Sequence, residues 1–173
     1  EVEDMFSQVA QELGPPSILV NNAGITQPKR IAEITKADYD AVLDVNLRGT
    51  FFCSKAVLPY MRRQKRGSII CISSVSGERG GGIFGGPHYC AAKAGILGLA
   101  KAIAREVASE GIRVNAIAPG LIDTDISQGR LTEELKTDLV QSIPMGRIGQ
   151  PIDVARACLF FACSLSEYIT GEV

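Results

Sequence analysis

The sequence holds one histidine, His88, in 173 residues. A Ser-His-Asp hydrolase would have to use it, and no G-x-S-x-G elbow is present to carry a nucleophile. Neither sign of charge is in excess: the formal net charge is −1. A general nucleic-acid binder carries a basic surplus, so no nucleic-acid partner is expected. No apolar run reaches the ~18 residues that span a bilayer, so no membrane helix is expected. No Lys- or Arg-led apolar leader opens the chain, so no signal peptide is expected either. Among the five cysteines (Cys53, Cys71, Cys90, Cys158 and Cys163) there is no C-x-x-C pair. Cys158 and Cys163 have no histidine beside them to complete a zinc site. The expectation is reduced, mostly buried thiols in a cytoplasmic protein without a metal. Repeats, low-complexity tracts and linkers are absent too. At this length and with 46% hydrophobic residues, one domain over residues 1–173 can bury a sizeable core without staples.

What is present alternates between two periods. Val2, Met5, Phe6, Val9, Ala10 and Leu13 recur at helical spacing, and Gly14-Pro15-Pro16 ends that helix. Ser17–Asn21 reads as a buried strand. Residues 36–64 read as one long helix, apolar at Tyr39, Val42, Leu43, Leu47, Val57 and Met61, with a kink at Pro59. Ser68–Ser73 is a second buried strand. A glycine-rich loop follows, then a helix over 88–109 with Ile96, Leu97, Leu99, Ala100, Ile103 and Val107 inward. Ile112–Ile117 is a third strand, stopped by Pro119-Gly120. Residues 123–142 read as a loop with a mobile helix, and 151–163 as a helix with Pro151 near its start. Tyr168–Val173 reads as a turn and the beginning of a strand. Strands alternating with helices predict an α/β fold with a doubly wound parallel sheet. The chain opens at Glu1 inside a helix and closes at the start of a strand, so flanking sequence is expected at both ends.

Ligands of such sheets bind at the carboxyl ends of the strands. Here those ends are Asn21-Asn22-Ala23-Gly24, Ser73-Ser74-Val75-Ser76-Gly77 and Ala118-Pro119-Gly120, each mixing small or polar residues with glycine. Just beyond the second, Tyr89 and Lys93 are spaced i, i+4 and share one helix face. A free tyrosine, with pKa ~10, is a poor base at neutral pH. A nearby ammonium favours the phenolate. Reaching pH ~7 takes about 4 kcal/mol of differential stabilisation. One lysine supplies much of that only if shielded from water. Without such shielding, the pair is a surface tyrosine covering a lysine stem. Ser74 is placed to hydrogen-bond a substrate carbonyl, and Asn46 to hold a water or backbone group near Lys93.

Asn21-Asn-Ala-Gly24, Asn46 in Asp-Val-Asn-Leu, Ser74 in Ser-Ser-Val-Ser-Gly, Tyr89-x-x-x-Lys93 and Pro119-Gly-Leu-Ile-Asp-Thr124, in this order, resemble the short-chain dehydrogenase/reductases. The resemblance covers nearly the whole chain and is greatest to the 3-oxoacyl-carrier-protein reductase-like branch. It implies a Rossmann-like fold and an oxidoreductase that uses NAD or NADP to transfer a hydride between nicotinamide and a carbonyl or secondary alcohol. Tyr89 would be the general acid/base. Lys93 would lower its pKa and hold the nicotinamide ribose. Ser74 would polarise the carbonyl, and Asn46 would support a proton relay through water. Asn22, Ala23 and Gly24 would lie near the adenosine ribose. Pro119, Gly120, Ile122 and Thr124 would line the nicotinamide. Residues 123–142 would form a substrate lid. The substrate would be a 3-oxoacyl thioester or another small keto or hydroxy compound, with sugar alcohols and simple ketones as rivals. The helices within 36–64 and 88–109 resemble the family's dimer-forming pair, so a homo-oligomer (dimer or tetramer) is implied.

Departures from the family pattern mark the other side of the comparison. The family's glycine-rich fingerprint, carried on the first strand–helix turn, is missing from this chain. With it go the residues that choose between NAD and NADP. The first βαβαβ half, roughly 60 residues or more, and the last strand are therefore expected to be absent here. Glu78–His88 is longer than the family's serine-to-tyrosine stretch. Two other readings follow: a nucleotide sensor without turnover, and an inactive, truncated subunit.

Several features compete for attention. Gly80–Gly85 matches G-x-G-x-x-G with Glu106 about twenty residues on, but no strand intervenes, so a flexible substrate loop is expected. His88 either touches substrate or is structural. Asp123 and Asp125 read as solvated carboxylates rather than metal ligands. Arg62, Arg63, Lys65 and Arg66 suit the carboxyl end of a helix. Cys90 reads as packed against its helix rather than redox-active.

Overall fold

The computed structural model describes residues 1–81, 83–127 and 129–173. Three strands, β1 (Ile18–Asn21), β2 (Gly67–Ile72) and β3 (Ile112–Ile117), form a parallel sheet in the order β1-β2-β3. Ile18 pairs with Ser68 and Gly67 with Ile112. Parallel neighbours need crossovers, and helices supply them. Between β1 and β2 run α2 (Lys36–Leu43) and α3 (Gly49–Gln64); between β2 and β3 run α4 (Val75–Arg79) and α5 (Pro87–Val107). Before the sheet lies α1 (Val2–Leu13); after it come α6 (Glu133–Val140) and α7 (Pro151–Ala162).

Side chains alternate across a strand, so each strand serves two faces. Ile69 and Cys71 of β2 join Val57, Met61, Ile96, Ala100, Val107 and Val114 in one apolar core with α3 and α5. The opposite face of β2 and β3 is met by α7, where the Ser68 hydroxyl donates to the Phe161 carbonyl at 2.8 Å. Helices on both faces of a parallel sheet are the doubly wound α/β arrangement that the alternating periods predict. The Arg113 guanidinium reaches from β3 to the carboxyl end of α7, donating to the carbonyls of Phe161 (2.8 Å) and Cys163 (3.4 Å). It satisfies carbonyls that a helix end leaves without partners.

The structure corrects four expectations. Within residues 1–173, β1 is not buried on both faces: Ile18 and Val20 are exposed, whereas α7 packs on β2 and β3. The long helix over 36–64 is interrupted at Asp44–Arg48 by a π-helical turn, where the Gly49 N–H donates to the Asp44 carbonyl. Asn46 explains the widening, since its side-chain amide donates to the Val42 carbonyl at 2.8 Å. α3 then runs through Pro59 to Gln64. Of the thiols only Cys71 is buried, and the other four are half-buried. The long loop after Ser74 is shortened at both ends, because Val75–Arg79 is helical and α5 starts at Pro87. Within Tyr168–Val173, the Gly171 N–H donates to the Val114 carbonyl and the Ala116 N–H to the Glu172 carbonyl, so this segment lies along the free edge of β3.

The basic cluster does what a helix end requires. Arg62 pairs with Glu106 and Glu110 beyond the end of α5, and the Arg63 guanidinium lies 4.8 Å from the Tyr60 ring centroid. Beside it, Gly111 has φ +77°, and a Cβ there would come 2.3 Å from the Lys65 carbonyl oxygen. Gly111→Ala is therefore expected to cost about 2 kcal/mol or more, read as a lower urea midpoint with an unchanged m-value.

Candidate functional site

The carboxyl ends of all three strands open into one cavity of about 760 Å³. β2 delivers Ser74 to its rim. Ser74 is the N-cap of α4, and its hydroxyl accepts from the Ser76 N–H at 3.1 Å. That contact is the ordinary way a serine starts a helix, and it fixes the rotamer of the side chain. Tyr89, from the first turn of α5, lines the same cavity, with its phenol close enough to this hydroxyl to feel it. Close packing of α4 on α5 makes this alignment: a Cβ on Gly77 would lie 2.7 Å from the backbone of Lys93 and Ala94. Gly85 similarly lets the preceding loop lie flat on the Tyr89 ring, where a Cβ would approach Cδ1 to 2.6 Å.

One turn along α5, Lys93 turns inward and is 3% exposed. Its Nζ donates to the Ile72 carbonyl at 2.9 Å and lies 5.6 Å from the Tyr89 ring centroid. Asn46, fully buried in the π-helical turn, donates a second hydrogen bond to the Ile25 carbonyl at 2.9 Å. Its Oδ1 is buried and has no partner among the described residues. Gly24 faces this atom: a Cβ there would lie 2.7 Å from Asn46 Oδ1 and 3.3 Å from Lys93 Nζ. The gap left by glycine thus joins an unused acceptor to a buried ammonium.

Burial dominates the electrostatics. It pulls Lys93 down to about 8, with Cys71 beneath it acting weakly the other way. The Cys71 thiol is itself pushed up to about 11 by burial. Burial also raises the Tyr89 phenol above its ordinary value, and the nearby Ser74 hydroxyl opposes that rise. In residues 1–173 alone, burial is the larger of the two effects. The reason is that removing a phenolate from water costs more here than its neighbours return.

Asn22, Gly24, Ser74, Tyr89, Lys93, Pro119, Gly120, Ile122 and Thr124 all line the one cavity. Asn46 stands behind Gly24, out of the wall, and Ala23 is exposed beside it. His88 is buried behind Tyr89 rather than on the wall. Asp123 pairs with Lys136 of α6 at 2.7 Å, which ties the 123–142 segment to the end of β3. No metal-binding group of His, Cys, Asp or Glu occurs among the described residues. The Gly80–Gly85 motif includes Gly82, which lies outside the described residues.

Sequence reasoning missed the Ile72 carbonyl that anchors Lys93, because a backbone acceptor carries no residue signature. It also missed the apolar wall of Ile83, Phe84, Ile126, Leu139 and Ile143. Leu139 and Ile143 share a spacing of four, the one signal that pointed there.

The family model described as enoyl-(acyl carrier protein) reductase matches residues 1–173. An uncharacterized short-chain type dehydrogenase/reductase, y4mP, of Sinorhizobium fredii is 52% identical over 96% of this chain and 66% of its own length. The 3-oxoacyl-(acyl-carrier-protein) reductase FabG of Thermotoga maritima is 42% identical over 100% of this chain and 69% of its own. FabG of Staphylococcus aureus strain Mu50 is 43% identical over 99% and 69%. The chain thus spans about two thirds of the length of the curated relatives it matches. The match over all 173 residues and these identities agree with the ordered motifs around the cavity: the chain belongs to the short-chain dehydrogenase/reductase family, in its 3-oxoacyl-carrier-protein reductase-like branch.

Proposed function

We propose that residues 1–173 form one Rossmann-like domain, the substrate-facing part of an NAD- or NADP-dependent oxidoreductase that interconverts a carbonyl and a secondary alcohol. The observation that carries this reading is the convergence of Tyr89, Ser74 and Lys93 on one cavity at the strand ends, with Asn46 Oδ1, unpartnered among the described residues, behind Gly24. The residues fit a nicotinamide cofactor. Gly120 leaves open space at the cavity wall, and Gly24 leaves a cradle that a Cβ would fill. Asn22, Ala23, Gly24, Tyr89, Lys93, Pro119, Gly120, Ile122 and Thr124 would hold it. When bound, it supplies the hydride donor or acceptor.

The chain's own residues handle the proton and the oxygen. A phenol kept protonated by burial suits Tyr89 to donate its proton to the oxygen of a carbonyl during reduction, and to take it back during oxidation. The Ser74 hydroxyl, pinned by the N-cap of α4, donates to the same oxygen and orients it. Once Tyr89 has given up its proton, the Lys93 ammonium stabilises the phenolate in a site shielded from water. Asn46 Oδ1 accepts from a water shared with Lys93, and that water passes a proton inward to restore the phenol.

The substrate is a 3-oxoacyl thioester or a similar small keto compound. The apolar wall of Ile83, Phe84, Ile126, Leu139 and Ile143 supports an acyl chain, and two of the relatives carry such a reductase name. Exposed Phe51 and Phe52 on α3 support a homo-oligomer. The test follows nucleotide absorbance with NADH and NADPH against an acetoacetyl thioester, ethyl 3-oxobutanoate and a cyclic ketone. Turnover of at least one is expected. Tight nucleotide binding without reduction of any of them would replace this reading with a sensor.

A further inference from the structure

Behind the cavity wall, the segment after β1 carries a chain of polar contacts that ends on His88, a residue with no part in the proton transfer described above. The strap Ile25–Lys29, which follows β1, is stapled along its length. Its Ile25 carbonyl accepts from Asn46, and the Thr26 hydroxyl donates to the Phe84 carbonyl. The Gln27 carbonyl accepts from the Gly86 N–H at 2.9 Å, and Lys29 pairs with Asp38 of α2 at 2.6 Å. Gly86 has no room for a side chain: a Cβ would come 2.5 Å from the Lys29 carbonyl oxygen. The last staple is His88, whose Nε2 lies 3.2 Å from Gln27 Oε1. The ring is 2% exposed, and its Nδ1 is buried with no partner among the described residues.

We propose that neutral His88 is a positioning residue: its bond to Gln27 locks the first turn of α5, and with it Tyr89, to the strap that also holds Asn46. The inference rests on the reading of Tyr89 as the proton-transfer group. With Nε2–H donated to Gln27 Oε1, Nδ1 carries the lone pair. Protonation would place a buried N–H at Nδ1 with no acceptor and add a charge to a desolvated ring. Two charged groups face the ring. Asp38 from α2 favours the charged form, and Lys29 from the strap opposes it. They are bound to each other, and burial holds the imidazole below its ordinary value. Acidification therefore charges His88 only by opening the staple. Tyr89, the next residue, then loses its alignment, and the Ile25–Asn46 bond on the same strap is loosened.

His88 is the only histidine of residues 1–173, and the imidazole resonance that disappears in H88Q identifies its NMR titration. Its midpoint is expected below the ~6.5 of a free side chain, and kcat is expected to fall on the acid side with the same midpoint. H88A is expected to lower kcat by about tenfold or more with a smaller change in KM. H88Q, whose amide can still donate to Gln27, recovers most of that loss and removes the acid limb. Q27E sets a carboxylate against the ring, moves the imidazole midpoint up by about one pH unit and, by bonding the charged ring through Nε2–H, flattens the acid limb; it tests the inference without altering His88 should the His88 variants fail to fold. An imidazole midpoint at or above that of a free side chain would overturn the inference, as would an acid limb unchanged in H88Q. Absence of turnover in every variant would sink the proposed function alone. The coupling would then be read from the Tyr89 ring resonances, which follow the His88 midpoint if the inference holds and ignore it if it does not.

Discussion

Tyr89→Phe lowers kcat by about 10²–10⁴ while nucleotide binding survives; removing a positioned general acid has effects of that size. The substitution deletes one hydroxyl and little else. The Tyr89 ring packs against Gly85 and is 9% exposed, so a phenyl ring fills the same space. The partner left behind is Ser74, whose hydroxyl keeps its contact with the Ser76 N–H. Stability should therefore change by no more than about 1 kcal/mol, the ordinary worth of one hydrogen bond. Fluorescence or calorimetric titration with nucleotide, set beside steady-state rates, checks both halves. Retained turnover in this variant would end the assignment of Tyr89 as the proton-transfer group. Lost nucleotide binding would mean instead that the phenol helps to hold the cofactor.

Lys93→Met separates catalysis from stability in opposite directions. Turnover falls by about 10²–10⁴ because the phenolate loses its buried counter-charge. Stability rises. Lys93 titrates at about 8 in the folded chain because burial penalises its ammonium, whereas an unfolded lysine titrates at ~10.4. Below pH 8 the group is charged in both states, so folding carries the full penalty of about 3 kcal/mol. Between pH 8 and about 10.5 the unfolded chain binds more protons than the folded one, so the wild type gains stability as pH rises. Above that window the penalty is gone. Methionine removes the charge, and with it the hydrogen bond to the Ile72 carbonyl, which gives back about 1 kcal/mol. Urea denaturation at pH 7 should thus show the variant more stable by about 2 kcal/mol. The gap should close between pH 8 and 10.5. A variant less stable than wild type at pH 7 would show that the Ile72 bond outweighs desolvation. Such a stability cost, retained at a functional group, is what an active site built on a buried charge requires.

The parts of the site legible in the sequence are those that depend on short spacings. Tyr89 and Lys93 share a helix face because i and i+4 do so in any α-helix. Ser74 stands at the cavity because a strand ends there and a serine starts the next helix. Asn46 was visible only through its motif. Its effect on the backbone was not, since the long apolar periodicity of 36–64 runs through the π-helical turn without a break. The expected kink at Pro59 and the observed interruption at Asp44–Arg48 show the difference. Proline is a local signal, whereas the π-helical turn carries an asparagine whose amide bonds both Val42 within the helix and Ile25, 21 residues away.

By itself, the sequence determined the alternation of strands and helices, the parallel sheet, the family, and which residues meet at the carboxyl ends of the strands. These follow from local periodicity and from residues a few positions apart. Only the tertiary structure decided that His88 is stapled to Gln27. It alone decided that Lys93 reaches the Ile72 carbonyl and that Gly24 faces Asn46 Oδ1. The sign of the Tyr89 shift belongs with these. Each depends on burial or on groups far apart in the chain, and desolvation is a property of everything packed around a group, which no spacing encodes.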